Sequence, residues 1–350
     1  MYDFRAALIK ELINRGNDVT ILTPFDSHVD DLRALGATLV ETPVDRRGTN
    51  PVRDLGLIKL YKRELKRIAP DLVITYTIKP NVYGCYAAKG LKIPYAMNIT
   101  GLGTAFENEG LLKKMVVAMY KLSAPKAKVV FFENSANRDT FVNEGIIPES
   151  KTHVLHGAGV DVNRFSYQEY PADAEVTRFL FIGRVMKEKG IEELFSAMRQ
   201  LVAEGEKTEL HVVGGFEENY KATIDQYEAE GWLHYHGHQN DVRPFIGQCH
   251  CFVLPSYHEG MANTNLESAS SGRPLITSDI PGCREAVVEN VSGLLCEPKD
   301  AENLYGVMKR FLALSRDERK AMGLAGREHM IAVFDKQKVV EETAEEIVGS

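Results

Sequence analysis

Two stretches hold residues whose types and spacing suit a phosphorylated, hydroxyl-bearing ligand. In FIGRVMKEKGIEEL (181–194) an apolar run ends at Gly183 and a helical pattern begins near Gly190, with Arg184 and Lys189 in the connection. Cations beside a helix start oppose its macrodipole, so they make sense there if a strongly anionic ligand binds. Arg offers a planar fork for phosphate oxygens and Lys a compact point charge. Two solvated loop charges are the plainer alternative for this stretch alone. In SYHEGMANTNLESASSGRP (256–274) the buried-strand pattern CFVLP (251–255) runs into a polar loop, and a helix follows near Thr264. Free N–H groups at such a start can hold a diphosphate. Glu259 and Glu267 stand eight residues apart. A carboxylate cannot bind phosphate, but it accepts hydrogen bonds from sugar hydroxyls. A nucleotide sugar carries these on ribose and on hexose, with the diphosphate between. The alternative for Glu267 is a capping box, Thr264-Asn265-Leu266-Glu267. For Glu259 it is a loop carboxylate drawn to the helix start. Neither explains both glutamates together with the cationic pair some 75 residues earlier.

Those residues need a rigid frame, and the pattern around them supplies one. Short β-branched runs at 19–24, 37–43, 71–77, 95–100 and 128–134 alternate with helical periods such as RAALIKELINRG and LGLIKLYKRELKRIAP, which Gly16 and Pro70 close. A second series of strands is expected at 177–183, 208–215, 232–237, 251–255, 274–279 and 293–298. Alternation of this kind predicts parallel sheets with helices on both faces, and the length suits two such domains. The expected division is 1–164, a linker at 165–176, a second domain at 177–335, and a C-terminal helix at 336–350 packing back on the first domain. Ligands of doubly wound sheets bind beyond the C-terminal strand ends, so two facing sheets predict a cleft.

The chain opens on a helix, MYDFRAALIKEL, where a doubly wound domain opens on a strand and a Gly-containing turn. The first strand of the N-terminal domain is therefore expected to be missing, through truncation or a misassigned methionine. Its neighbours, 19–24 and 71–77, are expected to show a gap or a distortion, while the C-terminal domain is complete.

Charge is uneven. Residues 1–165 carry 23 Lys and Arg against 18 Asp and Glu, and the remainder 19 against 31. A basic N-terminal half fits an anionic diphosphate or membrane surface, or simply scatter among surface charges. The five cysteines, Cys85, Cys249, Cys251, Cys283 and Cys296, form neither a CxxC pair nor a Cys/His metal spacing, which suits a reducing cytosol. No apolar run is long enough to span a bilayer. GLLKKMVVAMYKL (110–122) fits a helix resting on a membrane or, more commonly, one facing a core. His234 and His236 point the same way on a strand with His238 beyond, and with no third ligand in view they read as ordinary polar face residues. Gly101-Leu102-Gly103 lacks the third glycine of a dinucleotide fingerprint, since Phe106 stands there. No D-x-D is present, so no donor-bound metal is expected.

The two chemistry-bearing stretches resemble the donor-site motifs of retaining family-4 glycosyltransferases of GT-B fold, with Glu259 and Glu267 as the E-x7-E pair and Arg184 and Lys189 as the cationic pair. TIKPNVYG (77–84) and NITGLGTAF (98–106) are similar to stretches of bacterial enzymes that build capsule, O-antigen, exopolysaccharide or lipid-linked glycans, several of which transfer N-acetylgalactosamine or a related hexose from a UDP-sugar. The resemblance implies a cytoplasmic enzyme, with peripheral contact at the inner membrane face, moving a hexose or N-acetylhexosamine from a UDP-sugar to a glycan or polyprenyl-diphosphate-linked acceptor with retention and no metal or cofactor. It implies catalytic roles for Glu259, Arg184 and Lys189. Donor contacts would come from Glu267 on ribose, and from Gly183, Gly214, Gly215, Gly260, Met261, Ala262, Asn263 and Thr264, with 238–242 bordering the base. Lys79, Asn81, Thr100 and Gly101 would lie on the acceptor side. A UDP-sugar epimerase of the same fold and a non-catalytic nucleotide-sugar-binding protein are the alternatives. The chain departs from the family in lacking the Gly-rich turn after a first strand, and a histidine where Thr75-Tyr76-Thr77 stands.

Overall fold

The computed structural model describes residues 2–25, 28–43, 51–103, 106, 110–172 and 175–349. The chain forms two α/β units, Met1–Ala158 with Gln337–Ser350, and Gly159–Lys336. Among the described residues all strand pairs are parallel. This follows from the alternating pattern, because parallel neighbours need a crossover and helices supply it.

The first unit runs α1 (Tyr2–Asn14), β1 (Thr20–Thr23), α2 (Val29–Ala34), β2 (Thr38–Glu41), α3 (Pro51–Ile68), β3 (Val73–Tyr76), a π-helical turn (Pro80–Gly84), α4 (Cys85–Leu91), β4 (Tyr95–Ile99), α5 (Leu111–Ser123), β5 (Val130–Phe132), α6 (Ser135–Asn143) and β6 (Thr152–Val154). These strands make two sheets, β1-β2 and β3-β4-β5-β6. Between β1 and β3 lies a cavity of ≈1050 Å³, lined by Leu8 and Leu12 of α1, Ile21 and Leu22 of β1, and Val73 and Ile74 of β3. The gap anticipated from the sequence is present. Among the described residues no strand pairs with the facing edges of β1 and β3. One strand set there at the usual ~4.8 Å spacing would join both sheets into a single doubly wound order.

The second unit runs β7 (Thr177–Ile182), α7 (Ile191–Ala203), β8 (Thr208–Val213), α8 (Lys221–Ala229), β9 (Leu233–Tyr235), α9 (Arg243–Gln248), β10 (Cys251–Leu254), α10 (Asn263–Ser270), β11 (Leu275–Ser278), β12 (Gly293–Cys296), α11 (Ala301–Leu312) and α12 (Arg316–Val333). Its sheet has the order β12-β11-β10-β7-β8-β9. The order reverses between β7 and β10, which pair at Cys251↔Phe179 and Phe252↔Leu180. Phe179, Leu180, Phe181, Phe252 and Val253 are all buried, because helices cover both faces of these strands. α7 buries Ile191, Leu194, Phe195, Met198 and Leu201, one stripe at helical spacing.

Residues 165–172 run along the second unit. Tyr170 is buried there, and the fully buried Arg273 donates to the Gln168 and Glu169 carbonyls at 3.1 and 2.9 Å. The last helix, α13 (Lys336–Val348), lies against the first unit, where Glu342 meets His153 at 2.7 Å and Lys128 donates to the Ile347 carbonyl at 2.8 Å. All five cysteines are buried thiols.

Candidate active site

In a doubly wound sheet, ligands bind outside the C-terminal strand ends at the point where the order reverses. In the second unit that point is the mouth of β7 and β10, and both chemistry-bearing stretches begin there. Beyond β7 the backbone is drawn close to its neighbours at two glycines. A Cβ on Gly214, whose φ is +146°, would stand 1.8 Å from the Gly183 carbonyl oxygen. Gly190, at φ +69°, would place one 2.0 Å from the Pro255 carbonyl oxygen. Only glycine lets the β7, β8 and β10 ends meet this closely. The Val185 N–H to Gly215 carbonyl bond, 2.9 Å, extends the contact.

The close approach at Gly190 brings the two stretches together. Lys187–Lys189 forms a single 3₁₀ turn ahead of α7, and the Lys189 ammonium donates to Glu259 Oε1. Ser256 Oγ donates to the same oxygen at 2.8 Å, and the Tyr257 N–H to the Glu188 carbonyl at 2.9 Å. Lys189 and Glu259 are both mostly shielded from solvent, whereas Arg184 is half-exposed and lies 3.5 Å from Glu217 Oε2. The two cations therefore differ: Lys189 is held inside the site, and Arg184 reaches from its rim. Ser256, Glu217 and Gly282 were not anticipated. Of these, only Gly282 carried a local signal, the Pro-Gly turn dipeptide.

The loop 259–262 packs over Gly282, where a Cβ would sit 2.6 Å from the Gly260 carbonyl oxygen. The Ala262 N–H donates to the Gly282 carbonyl at 2.8 Å. That anchor starts α10 at Asn263 with Ala262 as N-cap, so Thr264 is already helical. Thr264 is therefore not the N-cap, and the capping box expected there with Glu267 does not form. Met261 and Ala262 are buried, while Asn263, Thr264, Glu267, Gly214 and Gly215 remain partly open. The first turn of α10 points its N–H groups to the same strand ends.

In the first unit, polar groups gather beyond β3, β4 and β5. Arg5 donates to Glu133 at 3.0 Å and to Asn98 Oδ1 at 3.5 Å, and its guanidinium lies 4.6 Å from the Tyr76 ring centre. Burial pushes the Glu133 carboxyl up to about 7, against the pull of Arg5. Thr77 follows at φ +69°, an uncommon conformation for a β-branched residue. The π-helical turn comes next, and such turns recur at functional sites. Lys79 pairs with Asp54 at 3.1 Å. Asn81 is buried and both ends of its amide are engaged, donating to the Asn98 carbonyl at 2.9 Å and accepting from Thr75 Oγ1 at 2.7 Å. It braces the turn and does not face outward. Thr100 and Gly101 are partly open, with Gly101 at φ +153°. Arg5 and Glu133 lie 128 residues apart, and no local pattern pointed to them.

α5 is apolar on two faces. Val116, Val117 and Tyr120 are buried, while Leu111 (85% exposed), Leu112, Met115 and Leu122 face solvent. Among the described residues no helix is long and apolar enough to cross a membrane.

Comparison with known proteins agrees with this fold. Residues 2–134 match the family model described as glycosyl transferase 4-like, and residues 163–329 match glycosyl transferases group 1. The chain belongs to these glycosyltransferases, and it is an enzyme of that class. It is 29% identical to the N,N'-diacetylbacillosaminyl-diphospho-undecaprenol alpha-1,3-N-acetylgalactosaminyltransferase of Campylobacter jejuni subsp. jejuni, over 93% of this chain and 89% of that one. Among solved structures, a Rickettsia africae glycosyltransferase shares the fold at TM-score 0.82 and 19% identity, covering 100% of this chain and 97% of that one. Anabaena Alr3699/HepE in complex with UDP-glucose does so at TM-score 0.79 and 17% identity, covering 97% and 94%.

Proposed function

We propose that the enzyme transfers a hexose or N-acetylhexosamine from a UDP-sugar to a glycan or polyprenyl-diphosphate-linked acceptor, with retention at the anomeric carbon, in the synthesis of a bacterial surface or lipid-linked glycan. The observation that carries this is the meeting of Lys189, Glu259 and the start of α10 at the β7/β10 reversal point. A diphosphate fits there: cations on one side, helix N–H groups on the other, and glycine backbone at 183, 214 and 215 close enough to touch it. Glu259 and Glu267 accept from sugar and ribose hydroxyls, and Gly260 to Thr264 line the space between. A relative that acts on a diphospho-undecaprenol-linked sugar, and a fold neighbour holding UDP-glucose, support both substrate classes.

Bond breaking leaves negative charge on the departing UDP. Lys189, Arg184 and the α10 N-terminus stabilise it, and fixed charges aimed at developing charge lower the barrier most. The sugar passes through an oxocarbenium-like state. Because Glu259 is occupied in binding, the acceptor hydroxyl attacks from the face that UDP leaves, and the leaving phosphate takes its proton. In the first unit, Lys79, Thr100 and Gly101 face the acceptor, with Asn81 fixing the turn beneath them. The exposed apolar face of α5, with Lys114 and Lys121, rests on the membrane carrying a lipid-linked acceptor.

The test is a screen of UDP-sugars by mass spectrometry with polyprenyl-diphosphate-linked acceptors. Mass gain on the acceptor, with UDP released, is expected. Conversion of the UDP-sugar to an isomer would indicate an epimerase. Binding without turnover, across the screen, would indicate a nucleotide-sugar-binding protein.

A further inference from the structure

Four titratable side chains meet on one face of β8 and β9, the edge pair of the second sheet. The parallel register sets His211 beside His234. Glu209 lies two residues before His211, and His236 two after His234. Alternation along a strand puts all four on the same face. His211 Nε2 lies 3.1 Å from Glu209 Oε1, His234 Nε2 lies 3.4 Å from Glu209 Oε2, and His211 Nδ1 lies 2.9 Å from His236 Nε2.

We propose that Glu209, His211 and His234 form a binding site for one transition-metal cation of Zn²⁺ type. Their ligand atoms lie within 4.8 Å of one another. An ion bonded at roughly 2.0–2.2 Å to each would need only small side-chain adjustments to sit among them. Two imidazoles and one carboxylate favour zinc and its neighbours over calcium or magnesium, which prefer oxygen alone. The groups behind the ligands are also those that a metal site uses. His236 holds the far nitrogen of His211, fixing its ring. Arg178 Nε donates to Glu209 Oε1 at 2.7 Å, which leaves Oε2 as the ligand atom. His234 is the most exposed of the three, giving an ion access from solvent.

Such an ion ties the edge strand β9 to β8. The strand leads directly into the loop touching the donor-side glycine: Gly214 N–H donates to the Gly237 carbonyl at 2.8 Å, and Tyr235 Oη donates to the Gly214 carbonyl at 2.8 Å. The ion stabilises this edge and takes no part in sugar transfer, and the site stands whether or not the donor assignment does.

The experiment uses the full chain stripped with a chelator, then titrated with Zn²⁺ in competition with a chromophoric chelator, and separately with Co²⁺ while visible absorption is recorded. One equivalent of Zn²⁺ is expected, with Co²⁺ producing d–d bands. His234→Ala and Glu209→Gln should each weaken binding by about ten-fold or more, the scale on which even outer-shell changes act. Both positions are partly solvent-exposed, and circular dichroism of the metal-free variants checks that they fold. No stoichiometric binding by the wild type, or undiminished binding by both folded variants, would overturn the site.

Discussion

Lys189 and Glu259 lie 70 residues apart in the chain, and their side chains form an ion pair at the ends of β7 and β10. The pair makes one site of two stretches that each look ordinary alone. It also makes the two cations unequal, because Lys189 is shielded and holds Glu259 in place, whereas Arg184 is half-exposed beside Glu217.

Arg184→Ala and Lys189→Ala should each lower kcat/KM, by on the order of 2–4 kcal/mol of transition-state stabilisation. Lys189→Ala should have the larger effect, since it leaves the Glu259 carboxylate shielded without its counter-ion. Steady-state kinetics on both variants checks this, and full activity in both would remove the cationic pair from the mechanism.

The two glutamates should separate by phenotype. Glu259→Gln is expected to reduce turnover with UDP affinity little changed, because the proposed donor site sets it beside the sugar. Glu267→Gln is expected to weaken UDP binding first. Calorimetry with free UDP, set beside turnover rates, distinguishes them. Wild-type values of both quantities in both variants would make the pair structural only.

How much of this could be read from the chain depended on range. The alternation of strand and helix is a local pattern, and it predicted a parallel two-unit architecture; the two chemistry-bearing loops and their glycines are local patterns as well. Cross-strand and cross-unit-length partners are not local. His234 and His236 looked unpartnered because Glu209 and His211 come from β8, matched to β9 only by sheet register. Arg5 and Glu133 meet because α1 packs beside β5's C-terminal end. β6 escaped notice because it is a three-residue, partly exposed edge strand with no apolar run. The helix cap was misplaced at Thr264 because a distant carbonyl, that of Gly282, holds the Ala262 N–H and sets the cap two residues earlier.

Stability should fall with rising pH in a window set by Glu133. Its folded value is raised from 4.5 to about 7. Between those values the folded chain keeps a proton that the unfolded chain has lost, so folding is favoured at the acid end and the advantage disappears as pH rises through the folded value. Glu133→Gln has no such proton to keep. Urea midpoints measured on either side of the window should differ less in that variant than in the wild type, and an unchanged difference would assign the slope to other groups.

The slot between β1 and β3 makes a prediction about stability. Unpaired buried ladder groups cost about 1–3 kcal/mol each. A strand and turn of about 10–15 residues fused ahead of Met1 should fill the slot. Higher melting temperature and higher activity are expected for the extended chain. Equal values for both chains would mean that the two sheets are complete as they stand.

The most direct test is the anomeric configuration of the product. A UDP-sugar with an α anomeric bond is incubated with a polyprenyl-diphosphate-linked acceptor in the presence of EDTA, and the new linkage is assigned by proton NMR. An α-linked product is expected, formed one-for-one with UDP, as the proposed same-face attack with fixed cations at the leaving charge requires. A β-linked product, or an isomerised UDP-sugar with no acceptor consumed, would contradict retaining transfer at the Lys189–Glu259 site.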